Sequence, residues 1–196
     1  MEIAIFGGTF DPPTLAHEEI IRSVLARNDI DELWVVPSAK RKDKPCMSGD
    51  ATRLAMLNAV KERSFENNEK LHISTFEMEL PHATETYRTF KALKKSYPGH
   101  TFSFIFGADS YRDMPNWRDG DKLMRTMGML LVARKGYDLP NETDKIRHLD
   151  APLALKIATS SSDVRQAVVN NIPVDGLVSD AVMGYIRDHN LYKAVQ

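Results

Sequence analysis

Short apolar runs alternate along the chain with longer stretches in which apolar residues recur every three or four positions. Residues 2–6 (EIAIF), 32–36 (ELWVV), 71–75 (LHIST), 101–106 (TFSFIF), 128–133 (GMLLVA) and 154–158 (ALKIA) read as strands. Most are apolar on both faces, as parallel strands are when helices cover each side of the sheet. Between them, residues 14–27 gather Leu15, Ile20, Ile21, Val24 and Leu25 on one side of a helix, and residues 50–63 carry a stripe of Leu54, Leu57 and Val60. A helix over 84–97 stops at Pro98-Gly99, and one over 179–188 ends before HNLY (His189–Tyr192). Residues 136–150, polar and carrying Pro140 and Asn141, read as one long loop. The pattern predicts an α/β fold: a Rossmann-like open parallel sheet with helices on both faces, formed by residues 1–196 as a single domain. Sheets of this kind bind ligands beyond the carboxyl ends of their strands, where the strand order reverses.

Composition narrows the chemistry. The chain has 196 residues, enough for a substantial core. Its 26 Lys and Arg stand against 27 Asp and Glu, a net charge of -1, which argues against nucleic acid or a membrane surface as the main partner. Any cationic site is therefore local. Cys46 is the only cysteine, so no disulfide framework or thiolate zinc cluster is expected, and a cytoplasmic setting fits. No apolar run approaches the length of a membrane span.

Several motifs fail on spacing. There is no G-x-x-x-x-G-K-[ST] loop, no G-x-G-x-x-G fingerprint and no G-x-S-x-G elbow. His17-Glu18-Glu19-Ile20 starts like H-E-x-x-H, but Ile21 stands where the second zinc ligand belongs; no protein metal site is expected. What remains is IFGGTFDPPTLAH (Ile5–His17). Gly7 and Gly8 follow the first strand and, lacking Cβ atoms, let backbone N–H groups approach a phosphate. The next helix starts near Thr14, and its N-terminus is an anion site aimed at the same space. Thr14 and His17, three residues apart, share a face of its first turn. The glycines alone suit an ordinary strand–helix turn equally well. A second such end lies in ATSSSDVRQAV (Ala158–Val168), where Ser160, Ser161 and Ser162 open a helix and Arg165 projects from its first turn. Alone, that segment is as well read as ordinary capping.

Together these segments carry a resemblance. Residues 14–17 resemble the [HT]-x-G-H signature of the nucleotidyltransferase superfamily, and GGTFDPP looks like its nicotinamide/nicotinate mononucleotide adenylyltransferase family. Two departures stand out: Thr14 fills the first motif position and Ala16 replaces the usual glycine. Ser160, Ser161, Ser162 and Arg165 match that family's I-S-S-T-x-x-R segment, with Ser162 in place of Thr. The resemblance implies that Gly7, Gly8, Thr9, Phe10, Thr14, His17, Lys40, Gly107, Asp109, Ser160, Ser161, Ser162 and Arg165 bind ATP and its phosphates. Gly107 and Asp109 enter through FGADS (Phe106–Ser110), where a helix-capping Asp109 is the alternative and both roles are compatible. It further implies that Thr86, Trp117 and Arg134 contact the mononucleotide, with Trp117 of PNW stacking on its pyridine ring; Trp34, within a strand, belongs to the core. Lys40, Arg41, Lys42 and Lys44 form a basic segment after the second strand, from which the family draws a lysine to the phosphates, and the sequence does not select which.

The implied partners are ATP, with Mg²⁺ carried on its phosphates, and a pyridine mononucleotide. The implied reaction is in-line attack of the mononucleotide 5′-phosphate on the α-phosphorus of ATP, with His17, Arg165 and Lys42 catalytic. His17 would act as a cationic donor, its ordinary pKa near 6.5 raised beside phosphates. Alternatives are another adenylyltransferase of the superfamily, such as one acting on phosphopantetheine, a cytidylyltransferase, or a non-catalytic nucleotide sensor. The sequence leaves open the choice between amide and acid mononucleotide, and whether copies of the chain form a homo-oligomer.

Overall fold

The computed structural model describes residues 1–39, 48–80, 85–157 and 159–193. Six parallel strands among them form one sheet: β1 (Glu2–Gly8), β2 (Glu32–Pro37), β3 (Leu71–Ile73), β4 (Thr101–Gly107), β5 (Gly128–Val132) and β6 (Ile146–Leu149), in the order β3-β2-β1-β4-β5-β6. The helices are α1 (Leu15–Leu25), α2 (Asp50–Ser64), α3 (Phe76–Glu79), α4 (Thr86–Ser96), α5 (Ala108–Asp113), α6 (Gly120–Thr126), α7 (Pro152–Ile157), α8 (Ser161–Val169) and α9 (Asp180–Asp188), with a single 3₁₀ turn at Met114–Asn116.

The alternation of side chains along β1 shows how both faces are filled. Ala4 and Phe6 join Ile20, Ile21 and Val24 of α1 in one core layer; Ile3 and Ile5 join Phe90 and Leu93 of α4 in the other. Each of the Ile, Val, Leu and Phe side chains among them contributes roughly 1.5–3 kcal/mol by leaving water. A third cluster, with Met56 and Val60 of α2 against Val182 and Ile186 of α9, packs the end of the chain onto the body. The strand order reverses between β1 and β4, so chain leaving these neighbours departs to opposite sides and opens a crevice beyond Gly8 and Gly107.

Four expectations change. Residues 154–157 of the expected strand 154–158 lie in α7 and not in a strand, and residue 158 is outside the described residues; Pro152 can open α7 because a first-turn N–H has no helical partner. The sixth strand is β6, inside the stretch expected to be loop. On α2 the buried stripe keeps Leu57 and Val60 of the expected one and adds Arg53 and Met56, whereas Leu54 is only half-buried. Trp34 packs against the core layer of Ile3 and Ile5 but at its edge, half-buried, with Nε1 donating to Glu32 Oε2 at 2.7 Å. No helix among the described residues is long and apolar enough to cross a membrane.

Candidate active site

β1 runs through both glycines, so Gly7 and Gly8 are its last residues. Phe10 then takes a left-handed conformation (φ 51°), which folds its ring back beneath the strand end. A Cβ on Gly8 would lie 2.9 Å from Phe10 Cζ, so only glycine permits this return. Phe10 and Phe6 pack edge to face and both touch the His17 ring, with centroids 5.1 and 5.9 Å away. Ala16, the departure from the family's glycine, is buried in the same core layer as Phe6 and Phe10. The extra methyl is accommodated there.

Thr14 is the N-cap of α1. Its backbone N–H donates to His17 Nδ1 at 2.9 Å, and its hydroxyl lies 2.8 Å from the same nitrogen. A backbone N–H can only donate, so Nδ1 holds the lone pair and the neutral ring carries its proton on Nε2. Burial, and after it the charge of Arg134, pull the His17 pKa from 6.5 down to about 4. In the free protein this imidazole is therefore neutral. Any rise toward the cationic form must start from well below the ordinary value.

The second helix end meets the first. Arg165 Nη1 donates to the Asp11 carbonyl at 2.7 Å, and Ser161 Oγ donates to the Pro12 carbonyl at 2.8 Å. Arg165 Nη2 also donates to Ser162 Oγ at 3.0 Å. Ser160 caps α8: its Oγ accepts from the Asp163 N–H and donates to Asp163 Oδ2, which holds the Asp163 carboxyl below its usual range. Two of the three serines expected to face an anion thus have local partners. Asp11 itself is buried. Tyr192 Oη donates to its Oδ1 at 2.6 Å, the Ser48 N–H to its Oδ2 at 3.3 Å, and Ser48 Oγ donates to Tyr192 Oη at 3.1 Å.

Across the crevice, Asp109 Oδ1 is enclosed, 3.7 Å from Arg134 Nε. A Cβ on Gly107 would come within 2.2 Å of that oxygen and 2.8 Å of Arg134 Nε, so glycine at the end of β4 is what lets the pair close over the strand. A cavity of about 560 Å³ opens between the two strand ends. Its wall includes Gly7, Gly8 and Thr9 from one predicted set and Thr86 and Trp117 from the other. Trp117 is held edge to face against Phe106, centroids 5.8 Å apart. Lys40, Arg41, Lys42 and Lys44 lie outside the described residues, and among those described there is no cluster of three or more metal-ligating side chains.

Several residues at this site had no place in the sequence reading. Arg53 of α2 is fully buried and reaches the loops after β1 and β2. Its signal was an arginine on the apolar stripe with Met56, Leu57 and Val60. Glu85, the N-cap of α4, lines the cavity and accepts from Arg118 Nη1 at 3.2 Å, while its Oε2 is enclosed without a partner among the described residues. No spacing in the sequence pairs Glu85 with Arg118.

A family model described as cytidylyltransferase-like matches residues 5–167. A Bacillus licheniformis protein named "Probable nicotinate-nucleotide adenylyltransferase" is 33% identical over 194 residues, 98% of each chain. The nicotinate-nucleotide adenylyltransferase of Bacillus subtilis is 29% identical over 201 residues, covering 98% of this chain and 99% of its own. Among solved structures, the Plasmodium falciparum nicotinic acid mononucleotide adenylyltransferase complexed with NaAD superposes with a TM-score of 0.87 at 26% identity, covering 97% of both chains. The complex of that enzyme with APC gives 0.84 at 25% identity. With the strand order, the paired helix ends and these relatives in agreement over nearly the whole length, the chain belongs to the cytidylyltransferase-like family and, within it, to the nicotinamide/nicotinate mononucleotide adenylyltransferases.

Proposed function

We propose that this protein joins ATP and nicotinate mononucleotide, giving deamido-NAD and pyrophosphate, with residues 1–196 acting as one nucleotidyltransferase domain in the cytoplasm. The observation that carries the reading is one cavity whose wall unites Gly7, Gly8 and Thr9 with Thr86 and Trp117, together with the tie that Ser161 and Arg165 make between the start of α8 and the segment that opens α1. The preference for the acid over the amide rests on the names of the relatives.

The reaction brings two anions together. A 5′-phosphate oxygen of the mononucleotide bonds to the α-phosphorus of ATP, the bond from that phosphorus to the bridging oxygen breaks, and pyrophosphate leaves with the electron pair. At about 4 Å and an effective dielectric near 20, each pair of like charges costs roughly 4 kcal/mol. Catalysis is then positioning and charge neutralisation. In this reading the backbone at Gly7 and Gly8 and the two helix ends cradle the phosphates. His17 offers its Nε2–H, and Arg165 turns from the Asp11 carbonyl to phosphate oxygens. Gly107 and Asp109 hold the nucleoside of ATP, Trp117 stacks on the pyridine, and Thr86 and Arg134 orient the mononucleotide. Lys40 and Lys42 are assigned to the phosphates on resemblance alone.

Mg²⁺ fits this donor set as a passenger on ATP. The described residues present no carboxylate cluster for it, and Asp11 is engaged by Tyr192 and Ser48, whereas phosphate and water oxygens suit a hard dication. When bound it neutralises phosphate charge. The test is pyrophosphate release with ATP and, in turn, nicotinate mononucleotide, nicotinamide mononucleotide and phosphopantetheine. Release is expected with nicotinate mononucleotide. None with either pyridine mononucleotide would refute the proposal.

A further inference from the structure

Arginine is almost never fully buried unless it is paired, and Arg53 is 0% exposed. Its guanidinium makes three bonds: Nη1 donates to the Thr9 carbonyl at 2.9 Å, and Nη2 donates to the Ser38 carbonyl at 2.8 Å and to Asp50 Oδ1 at 2.7 Å. Its Nε is enclosed with no partner among the described residues. An apolar side chain here would avoid the cost of burying a charge, but it would leave the Thr9 and Ser38 carbonyls without these donors.

The partners suggest another reason. The last rung between β1 and β2 pairs Gly8 with Pro37, and the Ser38 N–H donates to the Gly8 carbonyl at 2.8 Å. Beyond that rung the strands part, and Thr9 and Ser38 are the first residues on either side. Both line the cavity. The guanidinium fork continues the ladder one residue past its end, tying the two carbonyls to one rigid plane anchored on α2. Asp50, half-exposed, accepts the third bond from the same helix, one turn away.

We infer that Arg53 is a positioning residue for the transfer reaction: it sets the spacing between the loops after β1 and β2, and so the width of the cavity where Thr9 and Ser38 face the substrates. The inference deepens the adenylyltransferase reading and rests on it. Lysine keeps the charge and most of the volume, but it concentrates its donors on one atom and cannot reproduce the fork.

The test is R53K, assayed well below its own melting temperature and with its circular dichroism checked against the unaltered protein. The kcat/KM for the mononucleotide is expected to fall about tenfold or more, since small misplacements of reacting groups carry penalties of that order. A purely structural arginine would lower the melting temperature and leave kcat/KM at the low temperature within about twofold of the original, and that result would overturn the inference. D50N keeps both carbonyl bonds and is expected to leave kcat/KM nearly unchanged; a loss as large as that of R53K would also overturn it. Should R53K fail to fold, replacing Phe10 by its α-hydroxy acid turns the Thr9 carbonyl into an ester, a weaker acceptor, with every side chain retained. A threefold or larger loss of kcat/KM, about the scale of one weakened bond, is then expected, and unchanged kinetics overturns the claim. If the unaltered protein turns over neither pyridine mononucleotide, it is the adenylyltransferase reading that fails. Calorimetric Kd values for ATP with Mg²⁺ then decide the role of Arg53: clear weakening in R53K supports it and equal values overturn it.

Discussion

The environment of His17 makes the protein's acid stability a direct probe of the candidate site. Burial and the charge of Arg134 hold the imidazole at about 4 in the folded state, against 6.5 when free. A folded pKa below the unfolded one means that unfolding takes up a proton. The contribution is fully present above about pH 6.5 and is lost as the pH falls toward 4. Integrating between the two values, His17 alone removes about 2.5 kcal/mol of stability by pH 4.5, an upper figure because part of the ring is open to solvent. For a chain of this length that corresponds to a fall of roughly 5–10 °C in melting temperature. Other groups titrate over the same range, so the quantity to measure is the difference between the protein and its His17→Gln variant by denaturant unfolding at pH 7.5 and pH 4.5. The gap should move in favour of the variant by up to that amount. Nuclear magnetic resonance of the labelled imidazole gives the same information directly: an Nε2–H tautomer with a midpoint below pH 5. Arg134→Gln should raise that midpoint only modestly, because burial is the larger cause. A midpoint at 6 or above, or a proton on Nδ1, would refute the assignment of His17 as a neutral Nε2–H donor in the free protein.

Three further outcomes follow from named contacts. Tyr192→Phe removes the 2.6 Å bond to buried Asp11 and should destabilise the fold by about 2 kcal/mol in denaturant titrations at neutral pH. Burial, and then the bond to Asp11, push the Tyr192 phenol well above its ordinary 10.0, so its contribution stands below pH 10 and fades above it; a gap between protein and variant that does not narrow there contradicts the assignment. Gly107→Ala places a methyl against Asp109 and Arg134, and calorimetry should show ATP binding about tenfold weaker, on the scale of one to two displaced polar contacts; an unchanged Kd would remove that pair from the ATP site. Gly120→Ala sets a Cβ 1.9 Å from the Met114 carbonyl and so displaces the turn that carries Trp117. It should raise the KM for the mononucleotide severalfold and leave that for ATP nearly unchanged, an effect on ground-state binding, and equal changes in both would contradict the placement of Trp117.

What could be read from the chain depended on how locally each feature is determined. β1, β2, β4 and β5 announced themselves because a strand covered on both faces is apolar throughout. β6 did not. It is an edge strand, IRHL, and its Arg147 is accounted for only by Glu2, Ser103 and Asp29 on distant parts of the chain. ALKIA imitates a strand because its period is ambiguous over five residues; the informative letter was Pro152, just before it, which suits a first helical turn. The helix ends at Thr14 and Ser160 were legible for the opposite reason, since capping is settled within four residues. The charge state of His17 was not, because its burial comes from tertiary packing and the lesser cause, Arg134, lies 117 residues later in the chain.

The two buried charges that organise the loops of the crevice share a feature that the sequence did display. Asp11 stands between Phe10 and Pro12 in a segment otherwise suited to the core, and Arg53 occupies a position of α2 whose neighbours at three and four residues are Met56 and Leu57. Both are fully buried, and both bind backbone of distant segments: Asp11 accepts from the Ser48 N–H, and Arg53 donates to the carbonyls of Thr9 and Ser38. A parallel sheet leaves such groups behind wherever strands end, because the ladder stops while the chain is still enclosed. Water cannot reach them, so a side chain must, and an ionised one does so with the strongest bonds available. A charge at a position where the period demands an apolar residue therefore marks the rim of the sheet, which in this fold is also where substrates bind.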